Sequence, residues 1–482
     1  MAAEPEAPTD LPPAAATDPD AGSKKQLVDP WNVAGEVGED GKVKAIDYNK
    51  LVEDFGTKLI DQALLDRFEK VTGHKPHRFM RRKIFFSERD LSLILDRHEK
   101  GEPWFLYTGR GPSSDSMHVG HTQIFDFCKW LQEVFDVPMI IMLTDDEKFL
   151  FSENKTVEEV MSYTKTNAKD IIAIGFDPDK TFIFSDYDYI GGAFYRNITR
   201  FSKCVTYNTA KAVFGFNDST NIGKIHFGSI QGATSFASSF PHIFGTDESR
   251  TQKIPCLIPC AIDQDPYFRV TRDVAARLKF AKPSLIHARF LDALQGPGSK
   301  MSASIESSAI FLKDTPNQIK NKINKYAFSG GQETVEEHRR LGGNPDVDVA
   351  YQWLGFFFED DEELKKLGEQ YRKGELLTGE LKAICIKQLQ AYVASFQERR
   401  ALVSDEIVDH FMARKPLNWK NKPAAEKVVP VAKGGASDGA DGAGDGTMTK
   451  NQLKKLEKQK QIAAQKAAKA AEKEAAKKEA SG

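Results

Sequence analysis

The sequence predicts an α/β fold in which a parallel sheet is covered by helices on both faces, followed by an all-α region. Three observations support this prediction. Short runs that are apolar throughout alternate with segments of helical periodicity, as expected for strands buried on both faces. Each run ends at a cluster of glycine or polar residues, where a strand gives way to a loop. From about residue 314 onward the periodicity is helical and no convincing strand follows.

Five apolar runs are the predicted strands, and they cover residues 104–107, 138–143, 181–184, 254–261 and 284–290. Between them, apolar residues recur at helical spacing over about 118–135 and about 157–174, which predicts two of the covering helices. Strands that alternate with helices in this way are typical of a parallel sheet, because each helix carries the chain back to the same end of the sheet.

Changes in composition divide the 482 residues into segments. Residues 1–28 are rich in Ala, Pro and Asp and are predicted to be disordered. The following segments are a mostly helical N-terminal region with a flap that contains Trp31 (29–103), the sheet domain (104–313), a helical domain (314–420), a flexible Gly/Ala/Asp-rich linker (421–448) and a Lys-rich helical tail (449–482).

The charge is distributed unevenly along the chain. Residues 449–482 hold ten Lys and four Glu, a balance of +6, and because the whole chain carries −2 the other 448 residues carry −8. An acidic body with one basic tail predicts an electrostatic partner for the tail alone.

Several classes of protein are excluded by composition. No run approaches the roughly 18 uncharged apolar residues that a membrane span needs. The first thirty residues contain no Arg, six acidic residues and six Pro, which is not typical of a signal or transit peptide. Five scattered cysteines are too few for a disulfide framework, which favours a reducing intracellular compartment.

Polar motifs follow the predicted strands, and in open α/β sheets ligands bind at these carboxyl ends. In chain order, the motifs are Gly109-Arg110-Gly111, His118-Val119-Gly120-His121 at a helix start, Asp145-Asp146-Glu147, Asp263-Gln264-Asp265, and Lys300-Met301-Ser302-Ala303-Ser304. Together they predict one ligand site at this edge of the sheet.

Two of these motifs favour a nucleotide with a phosphate chain. In His118-Val119-Gly120-His121 the glycine lets a base or ribose approach the backbone, and the helix N-terminus and imidazoles favour phosphate oxygens. The loop at 300–304 offers one cation, hydroxyls and backbone amides to a departing pyrophosphate. The alternatives are core or metal-bound histidines and a plain surface turn. Neither a Walker loop nor a complete dinucleotide fingerprint is present, since Ser114 replaces the third glycine.

These motifs resemble those of the class I aminoacyl-tRNA synthetases, and among them the tryptophan-specific branch of the eukaryotic cytoplasm. The likeness covers about 28–419, in segments that also include Asp29-Pro30-Trp31, 106–114, 144–148, 182–186 and 256–269. The resemblance implies a Rossmann-like catalytic domain over 104–313 and an anticodon-binding helical domain over 314–420. It also likens the tail to the Lys-rich helices appended to several eukaryotic synthetases.

The resemblance implies a two-step reaction in the cytoplasm. L-Tryptophan reacts with ATP to give tryptophanyl-adenylate and pyrophosphate, and tryptophan then passes to the 3′ end of tRNA(Trp). ATP is a substrate, Mg²⁺ the cofactor, a homodimer the expected assembly, and no metal ligands are expected on the protein itself. The alternatives are the related tyrosine enzyme and a non-catalytic RNA-binding descendant of a synthetase.

The resemblance also implies the roles of individual residues. Tyr107 is expected to hydrogen-bond the indole N–H, while Glu147, Gln231 and Gln264 hold the ammonium group. The expected ATP site consists of Arg110, Gly111, His118, Gly120, His121, Lys300, Met301, Ser302 and Ser304, of which His118, His121 and Lys300 are catalytic. Where close relatives carry a Gln that contacts the indole, this chain has Met142.

Some residues keep two interpretations at this level. Asp145 and Asp146 either serve the ligand site or cap the following helix. The basic cluster at 74–83 either meets the tRNA acceptor stem or is a solvated face, and the second interpretation is favoured. Lys320, Lys322 and Lys325 are expected on an RNA-facing stretch of the helical region.

Overall fold

The computed structural model describes residues 26–30, 33–36, 44–299, 301 and 305–421. The predictions made for residues 1–25, for Trp31, for the linker beyond residue 421 and for the Lys-rich tail lie outside these residues.

Two sheets are present in the described residues. A small antiparallel pair joins β1 to β2, and the main sheet has seven strands in the order β3-β4-β9-β8-β5-β6-β7. The strands are β1 Leu27–Val28, β2 Val33–Ala34, β3 Lys58–Leu59, β4 Phe85–Arg89, β5 Phe105–Arg110, β6 Met139–Leu143, β7 Thr181–Ser185, β8 Cys256–Ala261 and β9 Ser284–Ala288.

The five predicted strands are β5 to β9, and they form the parallel part of the main sheet. The chain lays down β5, β6 and β7 in one direction and then returns to place β8 and β9 on the other side of β5. Loops leave β5 and β8 in opposite directions, which opens a crevice at their carboxyl ends. The predicted α/β fold with a mostly parallel sheet is confirmed.

The antiparallel edge of the main sheet was not predicted. The region 29–103 was expected to be mostly helical, but it contributes β3 and β4, and β4 pairs antiparallel with β9. The sequence of β4 does not indicate a buried strand, because it contains the polar residues Ser87 and Glu88. Both are buried and hydrogen-bonded, Ser87 to Nδ1 of His287 at 3.0 Å and Glu88 to the backbone N–H of Leu91 at 2.7 Å.

Helices cover both faces of the sheet and make up the rest of the described chain. They are α1 Tyr48–Phe55, α2 Gln62–Thr72, α3 Arg78–Arg81, α4 Leu91–Glu99, α5 Val119–Phe135, α6 Asp145–Leu150, α7 Val157–Ile174, α8 Asp186–Tyr189, α9 Gly192–Cys204, α10 Tyr207–Phe214, α11 Ile222–Ala233, α12 Pro241–Phe244, α13 Glu248–Thr251, α14 Asp265–Leu278, α15 Pro316–Tyr326, α16 Val335–Leu341, α17 Val349–Phe357, α18 Asp361–Arg372, α19 Thr378–Ala401 and α20 Asp405–Met412. The predicted helices at 118–135 and 157–174 are α5 and α7. None of these helices of the described chain is both long and apolar enough to cross a bilayer.

The helices after residue 314 share one continuous buried core with the sheet domain. Trp353 and Leu389 belong to the same buried cluster as Leu106 and Ile141 of the sheet. Polar contacts join the two regions as well, since the Tyr392 hydroxyl donates to Asp126 on α5 at 2.9 Å. The helical region therefore takes part in holding α5, whose first turn carries the paired histidines.

Basic residues in two regions form ion pairs within the protein. Arg81 and Arg82 pair with Asp361 at the start of α18, so this part of the basic cluster joins the N-terminal region to the helical region. Lys322 is buried against Asp314, and its prediction as an RNA-facing residue was wrong, whereas Lys320 and Lys325 are exposed. The helical periodicity of α15 placed Lys322 on the inner face, but a charged residue there was interpreted as a surface residue.

Candidate active site

A cavity of about 300 Å³ opens at the carboxyl ends of β5, β6 and β8. Every predicted site residue that the structure describes lines this cavity: Tyr107, Arg110, Gly111, His118, Gly120, His121, Glu147, Gln231, Gln264 and Met301. Lys300, Ser302 and Ser304 lie outside the described residues. Pro30, which precedes Trp31 of the predicted flap, also reaches the cavity wall.

The two histidines at the start of α5 are stacked on each other. Their ring centroids are 3.6 Å apart, and the backbone N–H of His118 donates to Nδ1 of His121 at 3.3 Å. Because Nδ1 of His121 accepts this bond, the neutral ring carries its proton on Nε2. His121 therefore has an N–H donor on the ring edge opposite the backbone, at a helix N-terminus that favours anions.

The loop that contains Met301 meets the start of α5. A Cβ added at Gly120 would lie 3.0 Å from Sδ of Met301 and 3.1 Å from Nδ1 of His118, closer than ordinary contact allows. The glycine thus leaves the space into which Met301 packs. Two motifs that are about 180 residues apart in the sequence share one wall of the cavity.

Arg110, at the end of β5, supplies a buried cation to the cavity. Its Nε donates to Oδ1 of Asn167 at 3.1 Å, while among the described residues Nη2 has no hydrogen-bond partner. Burial lowers the pKa of Arg110 to about 10, with Glu147 and Asp170 opposing the shift, so the guanidinium stays charged at neutral pH. A charged donor without a partner in a cavity wall is suited to an anionic ligand.

Asn167 was missed by the sequence interpretation. It is fully buried on α7, and its side-chain amide donates to the carbonyls of Ser114 and Tyr163 at 2.8 and 2.9 Å while its oxygen holds Arg110. The sequence feature that could have identified Asn167 is its position among the apolar residues on the buried face of an amphipathic helix, where a polar side chain needs specific partners.

Glu147 and two glutamines provide acceptors on the other side of the cavity. Oε2 of Glu147 accepts from the Thr144 hydroxyl at 2.8 Å, and Oε1 accepts from Nζ of Lys148 at 2.9 Å. Gln231 donates through Nε2 to Oε1 of Gln264 at 3.2 Å. A carboxylate beside two amide oxygens is an acceptor set that suits a ligand ammonium.

Gly111 leaves room for this carboxylate and its lysine partner. A Cβ added at Gly111 would overlap Cε of Lys148 and would lie 2.9 Å from Oε2 of Glu147. The absence of a side chain at this position lets the Glu147–Lys148 pair lie against the backbone that follows β5.

The apolar end of the cavity is built around Tyr107 of β5. Its hydroxyl donates to the carbonyl of Gln231 at 3.3 Å and lies 3.4 Å from Sδ of Met142, and Phe268 meets its ring edge-on at 6.0 Å. Burial raises the pKa of Tyr107 well above its ordinary value, so the hydroxyl is neutral. Aromatic walls and one hydroxyl fit a flat side chain that carries a single polar atom.

Three carboxylates lie behind Glu147, with oxygens of Asp145, Asp146 and Asp186 within 4.8 Å of one another. Of the described residues, this is the group whose carboxylates are close enough to hold a metal ion. Asp145 and Asp146 accept from the backbone N–H groups of residues 146 and 147 in the first turn of α6, whose N-cap is Thr144. Burial raises the pKa of Asp146 to about 6 and that of Asp186 well above its ordinary value.

Comparisons with known proteins agree with this geometry. The family model described as tRNA synthetases class I (W and Y) matches residues 99–394. The chain is 60% identical over 399 residues to the cytoplasmic tryptophan–tRNA ligase of Saccharomyces cerevisiae, covering 83% of this chain and 91% of the relative. It is 53% identical over 399 residues to the human enzyme of the same name, covering 82% and 83%.

A comparison with solved structures identifies the same family. A crystal structure of the Plasmodium falciparum tryptophanyl-tRNA synthetase is 46% identical, with a TM-score of 0.71, and the match covers 78% of this chain and 96% of that one. The family model runs from β5 into α19 and so includes the strands and helices that surround the cavity. The chain belongs to the class I tRNA synthetases for tryptophan and tyrosine.

Proposed function

We propose that the chain is a tryptophan–tRNA ligase. It activates L-tryptophan with ATP to form tryptophanyl-adenylate and pyrophosphate, and it then transfers tryptophan to the 3′ end of tRNA(Trp). Relatives named tryptophan–tRNA ligase that are 53–60% identical over most of the chain support this function. Those relatives are named cytoplasmic, and the cytoplasm is the proposed compartment.

The tryptophan site occupies the end of the cavity near Tyr107. The neutral Tyr107 hydroxyl donates to the Gln231 carbonyl, so its oxygen is left to accept the indole N–H. A buried indole N–H without an acceptor would cost about 1–3 kcal/mol. Glu147, Gln231 and Gln264 hold the ammonium group at the polar end.

The ATP site occupies the opposite wall. Arg110 and the N-terminus of α5 bind phosphate, Gly111 and Gly120 let the nucleotide approach the backbone, and His118 and His121 donate to the phosphate oxygens. Met301 packs on Gly120, which supports assigning Lys300, Ser302 and Ser304 to the same phosphate chain.

The first step depends on positioning and electrostatics. The tryptophan carboxylate attacks the α-phosphorus in line, and the bond from that phosphorus to the pyrophosphate oxygen breaks. The attacking carboxylate is already ionised, so no general base is needed. His118, His121 and Lys300 stabilise the charge that develops on the phosphates. In the second step the 3′-terminal adenosine of tRNA attacks the carbonyl carbon of the adenylate and releases AMP.

Mg²⁺ enters with ATP rather than on a protein site. Imidazole and guanidinium groups surround the phosphate end of the cavity, and this donor set does not fit an ion that prefers oxygen ligands. We therefore assign the ion to the nucleotide.

One observation carries the assignment to this chain's own residues: a single cavity gathers all ten of the predicted site residues that are described. The test is amino-acid-dependent ATP–pyrophosphate exchange with tryptophan and tyrosine supplied separately. We expect exchange with tryptophan and at least about a hundredfold less with tyrosine. A buried site whose hydrogen-bonding groups match one side chain strongly rejects a related amino acid that leaves those groups unpaired. Exchange with tyrosine alone would assign the related enzyme, and no exchange with either would favour a non-catalytic RNA-binding protein.

The remaining segments complete the proposal. Residues 104–313 form the Rossmann-like catalytic domain, 314–420 read the anticodon, 29–103 form the appended region with its flap, and 449–482 bind tRNA through its phosphates. A homodimer is proposed, with the exposed apolar side chains of Tyr195, Tyr207 and Ile222 as candidates for its surface. Light scattering of the full chain tests the dimer.

A further inference from the structure

Lys322 on α15 forms a buried ion pair outside the cavity. Its side chain is 9% exposed, its Nζ lies 2.8 Å from Oδ2 of Asp314, and the Asp314 side chain is 4% exposed. Two buried charges lose hydration when the protein folds, so a pair of this kind is costly to keep unless it fixes a conformation. Lys322 does not line the cavity, and the proposed chemistry does not use it.

The ion pair holds the chain segment that follows the loop at 300–304. Oδ2 of Asp314 accepts from the backbone N–H of Phe311 at 2.9 Å, and Nζ of Lys322 donates to the carbonyl of Ala309 at 3.4 Å. A buried carboxylate and a buried ammonium thus hold residues 309–311 from two directions.

The same segment pairs with the start of α5. His118 and Phe311 form an antiparallel bridge, and the backbone N–H of Val119 donates to the carbonyl of Ile310 at 3.0 Å. The backbone N–H groups in the first turn of a helix have no hydrogen-bond partner within that helix, so pairing with residues 310 and 311 fixes the position of this turn.

The side chains continue this contact. Nζ of Lys322 lies 4.9 Å from the ring centroid of Phe311, and the Phe311 ring meets the His118 ring edge-on at 6.2 Å and 81°. His118 in turn stacks on His121 at 3.6 Å. A continuous row of packed groups therefore leads from the buried lysine to both imidazoles.

We propose that Lys322 is a positioning residue for adenylate formation: through Asp314 and Phe311 it fixes the His118 imidazole against the phosphate chain of ATP. This inference rests on the proposed function. We expect loss of the ion pair to leave the tryptophan site intact, because Tyr107, Gln231 and Gln264 lie on β5, α11 and the β8–α14 connection, and their hydrogen bonds within the described part of the chain do not involve α15.

The test compares Lys322→Met with Lys320→Met in tryptophan-dependent ATP–pyrophosphate exchange. Methionine keeps the length of the side chain and removes its charge, and Lys320 is an exposed lysine on the same helix. We expect kcat to fall at least about tenfold in Lys322→Met while KM for tryptophan changes less than about twofold, as for a group that acts in the transition state. Lys320→Met should match wild type. An unchanged kcat in Lys322→Met, or a parallel rise in KM for tryptophan, would overturn the proposal.

A double variant separates positioning from stability. In Lys322→Met/Asp314→Leu the buried charges are replaced by apolar groups, an exchange that often leaves stability unchanged or improved. The Phe311 N–H nevertheless loses its acceptor. We therefore expect the low kcat to persist in the double variant even where its thermal stability returns toward that of wild type. Recovery of full activity in the double variant would show that only stability was at stake and would overturn the proposal. If wild type and Lys320→Met also lack exchange, the proposed function fails as well, which distinguishes the two failures.

Discussion

The sulfur of Met142 lies 3.4 Å from the hydroxyl oxygen of Tyr107, and the hydroxyl of Thr234 reaches the same sulfur at 3.3 Å. Met142 is fully buried on β6, next to the strand that carries Tyr107. The sulfur thus offers the Tyr107 proton an acceptor away from the cavity, in addition to the Gln231 carbonyl. With its proton directed inward, the Tyr107 oxygen is available to accept from a ligand.

The first prediction concerns this arrangement. In Met142→Leu the Tyr107 hydroxyl loses the sulfur as an acceptor and can turn its proton toward the ligand. The indole N–H of the ligand is itself a donor, so the two donors would then face each other. We expect KM for tryptophan to rise about fivefold, equivalent to the roughly 1 kcal/mol of one hydrogen bond, with KM for ATP unchanged. Pyrophosphate exchange at varied tryptophan measures it. Met139→Leu, another buried methionine of β6, is the control, and equal effects in the two variants would contradict the role of the sulfur.

The second prediction uses Gly120. Alanine is normally favoured over glycine inside a helix by about 1 kcal/mol, so Gly120→Ala should not lower the melting temperature through helix propensity. Its Cβ would nevertheless displace Met301 and His118, and we expect exchange activity to fall at least about tenfold.

Gly379→Ala is the matched control for this variant. Gly379 lies in the first turn of α19, and an added Cβ there meets no atom within 4 Å. Its activity should equal that of wild type. Full activity of Gly120→Ala would mean that Met301 and His118 do not need their present positions.

The sequence predicts those parts of the structure in which the type and spacing of the residues indicate their role. The strands β5 to β9 were predicted because runs that are apolar on both faces stand out. The strand β4 was not, because Ser87 and Glu88 are satisfied by His287 and Leu91, partners that only the folded chain brings near.

The same limit applies to the site. Histidines, glycines and a lysine after strands indicated a phosphate site, and the cavity gathers the described ones. Asn167 and Lys322 were missed or misinterpreted, since their roles come from burial on helices far along the chain. A single sequence shows which side chains bear chemistry but not which polar side chains become buried supports.

The third prediction concerns Lys300. Lys300→Ala should lower the rate of adenylate formation about a hundredfold, because a cation that stabilises the departing pyrophosphate acts mainly in the transition state. The dissociation constant for tryptophan, measured by calorimetry without ATP, should change less than about twofold. The exposed Lys282→Ala variant serves as control. Equal losses in binding and in rate would contradict the assignment.

The fourth prediction is a pH dependence of stability at Asp126 on α5. Burial raises its pKa to about 6 in the folded protein, while the Tyr392 hydroxyl and nearby basic groups oppose the shift. The folded state therefore binds this proton more tightly than the unfolded chain does. Its contribution makes the protein more stable as the pH falls from about 7 toward 4, and the benefit is lost as the pH rises through 6.

Asp126→Asn tests this sign, because asparagine resembles the protonated acid and can still accept from Tyr392. Relative to wild type, the free energy of unfolding in urea should increase by about 1–3 kcal/mol at pH 8 and by about half as much at pH 5. Asp409→Asn, at an exposed position, should show no such difference. A larger gain at pH 5 than at pH 8 would refute the prediction.

The fifth prediction concerns the Lys-rich tail. Residues 449–482 carry a balance of +6, whereas the rest of the chain is acidic and should repel RNA at long range. A chain ending at residue 421 keeps every described residue of the cavity, so tryptophan-dependent exchange should be unchanged. Its affinity for tRNA should fall, most clearly at low salt, and the slope of log affinity against log salt should become shallower by roughly the number of lysines that contact phosphate. An unchanged salt slope would mean that the lysines do not touch the RNA, and a loss of exchange activity would mean that the tail acts on the first step.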